Sequence, residues 1–298
     1  MPTKSKAEDN AEVAGVRLTH AHKVYYPDNG VTKLEVAKYY QRIEEWMMPE
    51  LHDRPLSLVR MPEGIAGEKF FQKHPTDNFP DYIDRIRVKE KSGTTEYIWA
   101  DELNDIIYLV NLGVLEIHTW GSKVPKIDYP DRVVFDLDPD PGAPWEYVIE
   151  GAKLIRQILA ELKLESFVKT SGGKGLHIVL PLKNKQHNWD TIKDFSLLIA
   201  ENLVKHQPEK YTVELRKDKR VGKVFVDYLR NSKGATTIAA YSTRARPGAA
   251  VSVPVFWEEV TTKLKPNHYN IHNIFQRLGR LAQDPWYEID RVDQTLPL

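Results

Sequence analysis

The chain has 298 residues, 41% of them hydrophobic and 28% charged, a composition that provides a sizeable core and excludes wholesale disorder. It has no cysteine, so disulfides, thiolate zinc sites and cysteine nucleophiles are excluded. Any metal must then be held by Asp, Glu, His or carbonyl oxygen, a donor set that favours hard ions such as magnesium or manganese. Lys and Arg number 42 against 42 Asp and Glu, so no basic excess points to nucleic acid and the distribution of charge has to decide.

The first 14 residues read as a polar arm, without the apolar segment of a signal peptide. No apolar run reaches the roughly 18 residues of a membrane helix, and the cytoplasm is the default expectation. Residues 32–48, TKLEVAKYYQRIEEWMM, predict a helix with Thr32 as N-cap and Glu35 completing a capping box. Leu34, Ala37, Tyr40, Ile43 and Met47 recur on one of its faces. Short strands are expected at 55–60, 95–99 and 114–119, which gives a mixed N-terminal module over about 15–130.

A more regular segment follows over about 131–250, with an extension over 251–298. Residues 133–138 predict a strand, and 145–163 a helix with an apolar stripe of Val148, Ala152, Ile155, Ile158, Leu159 and Leu162. Strands at 166–170 and 176–181 flank a glycine-rich SGGKG turn. Asp190 is expected to cap a helix to about His206, and 224–229 reads as a strand. The order β-α-β-β-α-β is the split βαβ unit, so the fold class is α+β.

That unit places its first and third strands centrally and its fourth beside the first. Side chains alternate with period two, so Asp136 and Asp138 of VVFDLDPDPG share a face while Val133, Phe135 and Leu137 point to the helices. Asp227 in VFVDYL and His177 in LHIVLP are expected on the same open face. Three neighbouring carboxylates repel one another, and a divalent cation resolves the conflict. Carboxylate-bridged metals activate an attacking hydroxyl and steady a leaving phosphate oxygen.

KTSGGKGLHIVLP, residues 169–181, offers backbone N–H groups to an anion, with Ser171 and Lys174 adding a hydroxyl and a charge. The spacing is not that of a Walker loop, and a plain hairpin turn remains the alternative. In YSTRARPG, Arg244 and Arg246 sit two apart on an extended segment, suited to phosphate or simply to the surface. His118 follows Glu116 by two in a strand, where a lone histidine is more often structural. Phe70 and Phe71 lie between Lys69 and Lys73, either as core or as a platform for bases. RKDKRVGK, residues 216–223, is a solvated loop or a basic contact.

Taken together, FDLDPDP, TSGGKGLH, GKVFVDYLRN and AYSTRARPG occur in the order and spacing of one family. The chain resembles the polymerase domain of bacterial ligase D, in the archaeo-eukaryotic primase superfamily, from about RLTHAHKVYYP to PWYEIDR. The resemblance implies an RRM-like catalytic core with an N-terminal α/β module, the primase-polymerase fold. It implies a metal-binding catalytic triad of Asp136, Asp138 and Asp227 served by Mn2+ or Mg2+. Nucleotide contacts are implied at His118, Ser171, Lys174, His177 and Arg244, and base stacking at Phe70 and Phe71. Lys23 and Lys33 resemble a pocket for a recessed 5′-phosphate, and Lys217, Arg220 and Lys223 a mobile loop beside a DNA end.

The implied activity is template-dependent addition of NTPs, in preference to dNTPs, at gaps, overhangs and breaks during non-homologous end joining. Implied partners are a DNA ligase and a Ku-type end-binding protein, with association to the nucleoid during repair and no membrane. Two departures stand out. His20 occupies a place where a close relative in this family has a neutral amide, and no ligase or nuclease sequence accompanies the chain. It is therefore expected to be either a stand-alone enzyme or one domain of a longer protein. Two other readings compete: a non-catalytic end-bridging module, and a haloacid-dehalogenase-type phosphatase suggested by the DLD pair.

Overall fold

The computed structural model describes residues 11–76, 79–90, 93–183 and 187–297. Most of the polar arm, residues 1–10, lies outside them. Ala11–Val13 (β1) already pairs with Val16–Leu18 (β2), so residues 11–14 of the expected 1–14 arm belong to a hairpin. The cause is a two-residue turn, Ala14 and Gly15, with φ of 48° and 74°, the left-handed pair that matches hairpin twist.

The chain divides into two compact units, one of residues 1–119, 238–251 and 270–275, the other of 120–237, 252–269 and 276–298. The expected three consecutive segments are thus interleaved. Residues 238–251 belong with the first unit because buried tyrosines hold them: Tyr39 Oη donates to Tyr241 O at 2.7 Å, and Tyr40 Oη lies 2.9 Å from Thr243 Oγ1.

In the first unit, β3 (Val24–Tyr26) and β4 (Val31–Thr32) lead into α1 (Lys33–Leu51). Thr32 caps α1 as expected, with Glu35 returning a bond to the Thr32 N–H at 2.8 Å. The buried face of α1 is wider than the predicted stripe and takes in Val36, Tyr39 and Leu51. Next come β5 (Leu56–Arg60), β6 (Phe70–Gln72), the hairpin of β7 (Arg85–Glu90) and β8 (Gly93–Ile98), α2 (Leu103–Asn111) and β9 (Val114–Trp120). β5 lies between β6 and β9, antiparallel to both.

The second unit is built on β10 (Arg132–Pro139), α3 (Trp145–Glu161), β11 (Phe167–Thr170), β12 (Leu176–Pro181), α4 (Trp189–His206), β13 (Tyr211–Thr212) and β14 (Val224–Asp227). After β15 (Thr236–Ile238), β16 (Pro254–Val255) completes its sheet, whose order is β13-β14-β10-β12-β11-β16. The four strands β14-β10-β12-β11 are those of the split βαβ unit. Val133, Phe135 and Leu137 are fully buried against Ile155, Leu159, Ile192 and Ile199 of α3 and α4, so the helices cover one face of β10.

Two boundaries differ from expectation. α4 is capped by Asn188, whose Oδ1 accepts the Thr191 N–H at 2.9 Å, because Asn188 has the extended backbone that Asp190, already in the helix, lacks. β14 stops at Asp227, where the side chain accepts the Leu229 N–H and starts a 3-10 turn over Tyr228–Asn231. No helix among the described residues is long and apolar enough to cross a membrane.

Candidate active site

β10 sits between β12 and β14, and the ladders fix which side chains meet. Asp136 is directly opposite Asp227 on one side and His177 on the other, and Asp138 is opposite Phe225. Directly opposed residues in an antiparallel pair share a face. The expected gathering of Asp136, Asp227 and His177 on the face away from the helices is therefore realised, with Asp138 at its more exposed end.

Arg230, from the 3-10 turn, lies between two of the carboxylates. Its Nε is 3.3 Å from Asp136 Oδ2 and 3.1 Å from Asp227 Oδ2. His177 Nε2 is 3.3 Å from Asp136 Oδ1. Burial disfavours the charge on Asp136, but His177, Arg230 and Lys169 outweigh it and hold its carboxyl far below the usual carboxylate range. Asp138 is pushed up by burial and by Asp136, against the pull of Lys174, Arg220 and Arg230. Asp227 is pushed up by burial and by Asp136, with Arg230 opposing. Burial takes His177 down to about 4 despite Asp136, so its ring is neutral at pH 7.

These residues fit a divalent cation. The donors are carboxylate oxygens, the class that hard ions take. A guanidinium already bridges two of them, in the manner of a stand-in cation. His177 Nδ1 is buried without a hydrogen-bond partner among the described residues. The site is looser than a closed cage. Among the described residues, His52, Asp53 and Asp101 are the set whose ligand atoms all lie within 4.8 Å of one another. That cluster, in the first unit, ties the end of α1: Asp101 Oδ1 accepts the Asp53 N–H at 2.9 Å and Oδ2 the Trp99 indole N–H at 3.0 Å.

The SGGKG loop closes more tightly than its sequence suggests. Gly173 and Gly175 donate their N–H groups to Ser171 Oγ at 3.2 and 3.1 Å, so these two donors are engaged by the loop itself. Gly175 passes over β10 so closely that a Cβ there would stand 1.8 Å from Leu137 O, between the two aspartates. Lys174 is exposed, and its charge is felt at Asp138. Arg220 packs its guanidinium 3.5 Å from the centroid of Phe225, the residue opposite Asp138, and bonds the carbonyls of Glu214 and Leu215. Lys217 is exposed, whereas Lys223 Nζ donates to Pro208 O at 2.7 Å.

In the first unit, His118 Nε2 lies 2.8 Å from Glu116 Oε2, and Arg244 Nε lies 3.4 Å from Glu116 Oε1. Phe70 and Phe71 are 45% and 75% exposed on β6, with Lys69 Nζ 4.8 Å from the Phe71 ring centroid, which removes the core reading. Lys23 Nζ bonds Glu63 Oε1 at 2.7 Å and Pro62 O at 3.1 Å. Lys33 is buried, its Nζ donating to Thr19 O at 2.7 Å and Asn111 O at 3.0 Å, so a phosphate meets it only by displacing these acceptors.

Arg230, Glu116, Lys169 and Asn231 are not among the residues that the sequence motifs single out. Arg230 stands three residues after Asp227, just past the strand expected over 224–229, and only the early end of β14 at Asp227 turns it back toward the carboxylates. Glu116 shares the period-two face of His118, a signal that was present. Lys169 is opposite His177 on β11, with its Nζ on Ser252 Oγ at 2.7 Å.

The family profile described as LigD, primase-polymerase domain, matches residues 32–286. The chain is 42% identical over 293 residues to the multifunctional non-homologous end joining protein LigD of Pseudomonas aeruginosa, covering 98% of this chain and 35% of that protein. It is 28% identical over 283 residues to the bifunctional non-homologous end joining protein LigD of Bacillus subtilis, covering 95% and 45%. The chain therefore spans about a third to a half of these curated relatives. A solved structure, the polymerase domain from Mycobacterium tuberculosis ligase D in complex with DNA, superposes with a TM-score of 0.84 at 30% identity, over 94% of this chain and 99% of that one.

Proposed function

The chain belongs to the LigD primase-polymerase family, and from that premise we propose that it is a template-dependent nucleotidyltransferase that fills gaps and extends ends in double-strand break repair. Family membership implies dependence on a divalent metal; Mn2+, with Mg2+ as substitute, is our assignment. The observation that carries the reading is Asp136 set directly across the ladder from Asp227, with a guanidinium between them.

In this reading Asp136, Asp138 and Asp227 hold the cation. Bound there, it supplies Lewis-acid activation and charge neutralisation. The 3′-hydroxyl of a primer gives up its proton to solvent as its oxygen forms a bond to the α-phosphorus of a nucleotide, and the bond to pyrophosphate breaks. Lys174, exposed beside Asp138, offsets charge on the phosphates. Ser171 shapes the loop that presents Lys174, and neutral His177 orients Asp136. His118 and Arg244 are assigned to the nucleotide by their motifs.

Phe70 and Phe71 have the exposure that base stacking needs. Lys217 and Arg220 suit a DNA end, with Lys223 fastening the base of their loop. Lys23 is the more accessible of the two lysines assigned to the 5′-phosphate, and Lys33 braces the backbone behind it. The relatives' names place them in non-homologous end joining, and within that process we assign a DNA ligase and a Ku-type end-binding protein as partners.

The test supplies a gapped duplex bearing a 5′-phosphate, Mn2+ and either nucleotide type. Primer extension with NTPs faster than with dNTPs is expected; equal or better use of dNTPs rejects the ribonucleotide preference. Asp136→Ala with Asp138→Ala should lower extension by about 1,000-fold or more, equivalent to ~4 kcal/mol of barrier, while end binding persists. Unchanged extension would sink the mechanism. Lys23→Ala should weaken binding only for DNA that carries the 5′-phosphate.

A further inference from the structure

We propose that Glu116 is a positioning residue that couples His118 and Arg244 into a single nucleotide-binding element, an inference that rests on their assignment to the nucleotide. Glu116 lies on β9 opposite Val59, and His118 lies opposite Ser57, so the two side chains share one face of the sheet. Glu116 is only 2% exposed. A buried carboxylate is costly unless charged and polar partners surround it, and each of its oxygens has them. Oε2 is 2.8 Å from His118 Nε2. Oε1 accepts the Ala245 N–H at 3.0 Å and lies 3.4 Å from Arg244 Nε.

One anion thus orients an imidazole on a strand and a guanidinium on a segment more than a hundred residues away in sequence. Burial opposes its ionisation, but His118, Arg244 and the Ala245 N–H together take its carboxyl down to about 2, so it is charged at any working pH.

The Thr243–Ala245 segment is also anchored without Glu116. Tyr26 Oη donates to Arg244 O at 2.9 Å, Thr243 Oγ1 to Leu115 O at 2.7 Å, and the Arg244 N–H to Ala250 O at 2.8 Å. The Ile117 N–H donates to Ser242 Oγ at 2.9 Å. The backbone is therefore held in place by other groups, and what Glu116 fixes is the direction of two cationic or polar side chains.

The test is steady-state extension of a gapped duplex with Mn2+, together with a double-mutant cycle. Glu116→Gln keeps the shape and removes the charge. It should raise the KM for nucleotide about 10-fold or more, the loss typical of a hydrogen bond to a charged group, and leave the KM for DNA unchanged. In a His118→Ala, Arg244→Ala background the same substitution should add less than about 2-fold, because the groups it acts through are gone. Full additivity, or a KM for nucleotide that does not move, overturns the proposal.

Where Glu116→Gln lowers the melting temperature, Glu116→Asp keeps the buried charge with a shorter reach and carries the same cycle. Single His118→Ala and Arg244→Ala variants separate the two levels. If neither alters the KM for nucleotide while Asp136→Ala still abolishes extension, the nucleotide assignment fails and the coupling with it, while the polymerase reading survives.

Discussion

Asn231 shows how much a single side chain settles at this site. β14 leaves β10 after Asp227, which would strand both backbone groups of Val134 on that side. The Asn231 carboxamide replaces the missing rung: Oδ1 accepts the Val134 N–H at 2.8 Å and Nδ2 donates to Val134 O at 2.8 Å. With Asn231 only 1% exposed, water has no easy entry. Asn231→Ala should therefore cost about 2–6 kcal/mol, two buried groups at roughly 1–3 kcal/mol each, read as a lower midpoint in urea unfolding. A change below about 1 kcal/mol would mean that water completes the rung instead. The aspartates were legible because period two and an antiparallel ladder leave them one face to share. Arg230 and Asn231 were not, since VFVDYL reads as unbroken β-branched and aromatic strand, and the side chain of Asp227 ends it by capping a turn. Lys33 carried the same kind of ambiguity: the sequence gives a cation, and only packing reveals that backbone carbonyls already use it.

Elements with their own local signals were the most readable. The capping box fixes the start of α1, and the alternation in β10 fixes which of its sides packs on α3 and α4. β13 and β16 went unread because two-residue strands have no periodicity; they exist through pairing with β14 and β11. The SGGKG turn was legible as a turn but not in its closeness to β10. Substitution tests that closeness. Gly175→Ala places a methyl 1.8 Å from Leu137 O, and neither backbone can yield cheaply. The expected outcome is a loss of about 1–3 kcal/mol in unfolding free energy, the cost of overpacking, accompanied by a raised KM for nucleotide as the loop lifts. Gly142→Ala is the control: its Cβ meets only the Asp140 side chain at 3.5 Å, and it should shift stability by less than about 0.5 kcal/mol. If both variants behave alike, the loop is not seated on β10 in solution.

At the scale of the whole molecule, the chain enters and leaves each unit several times, which a linear reading of modules does not anticipate. The signals are long-range hydroxyl contacts such as Tyr39 to Tyr241, invisible in local composition. Each unit also carries its own buried titrating group, and the two respond to acid in different windows. His177, in the second unit, has its pKa lowered by burial from 6.5 to about 4. Between those values the unfolded chain binds the proton and the folded one does not, so stability rises with pH there and is lost as pH falls from about 6.5 toward 4. Glu116, in the first unit, is lowered from 4.5 to about 2, so the stability it contributes is fully present above 4.5 and is lost as pH falls toward 2. Each shift corresponds to on the order of 3 kcal/mol. In metal-free buffer, hydrogen-exchange protection factors, taken relative to the intrinsic exchange rate at each pH, should therefore fall first in β10, β12 and β14 as pH drops through 5, with β9 protected until the pH falls below about 4. His177→Gln should abolish the early phase and leave the later one, and Glu116→Gln the reverse. Simultaneous loss of protection in both units, unaffected by either substitution, would show that acid acts through the summed charge of the chain and not through these two buried groups.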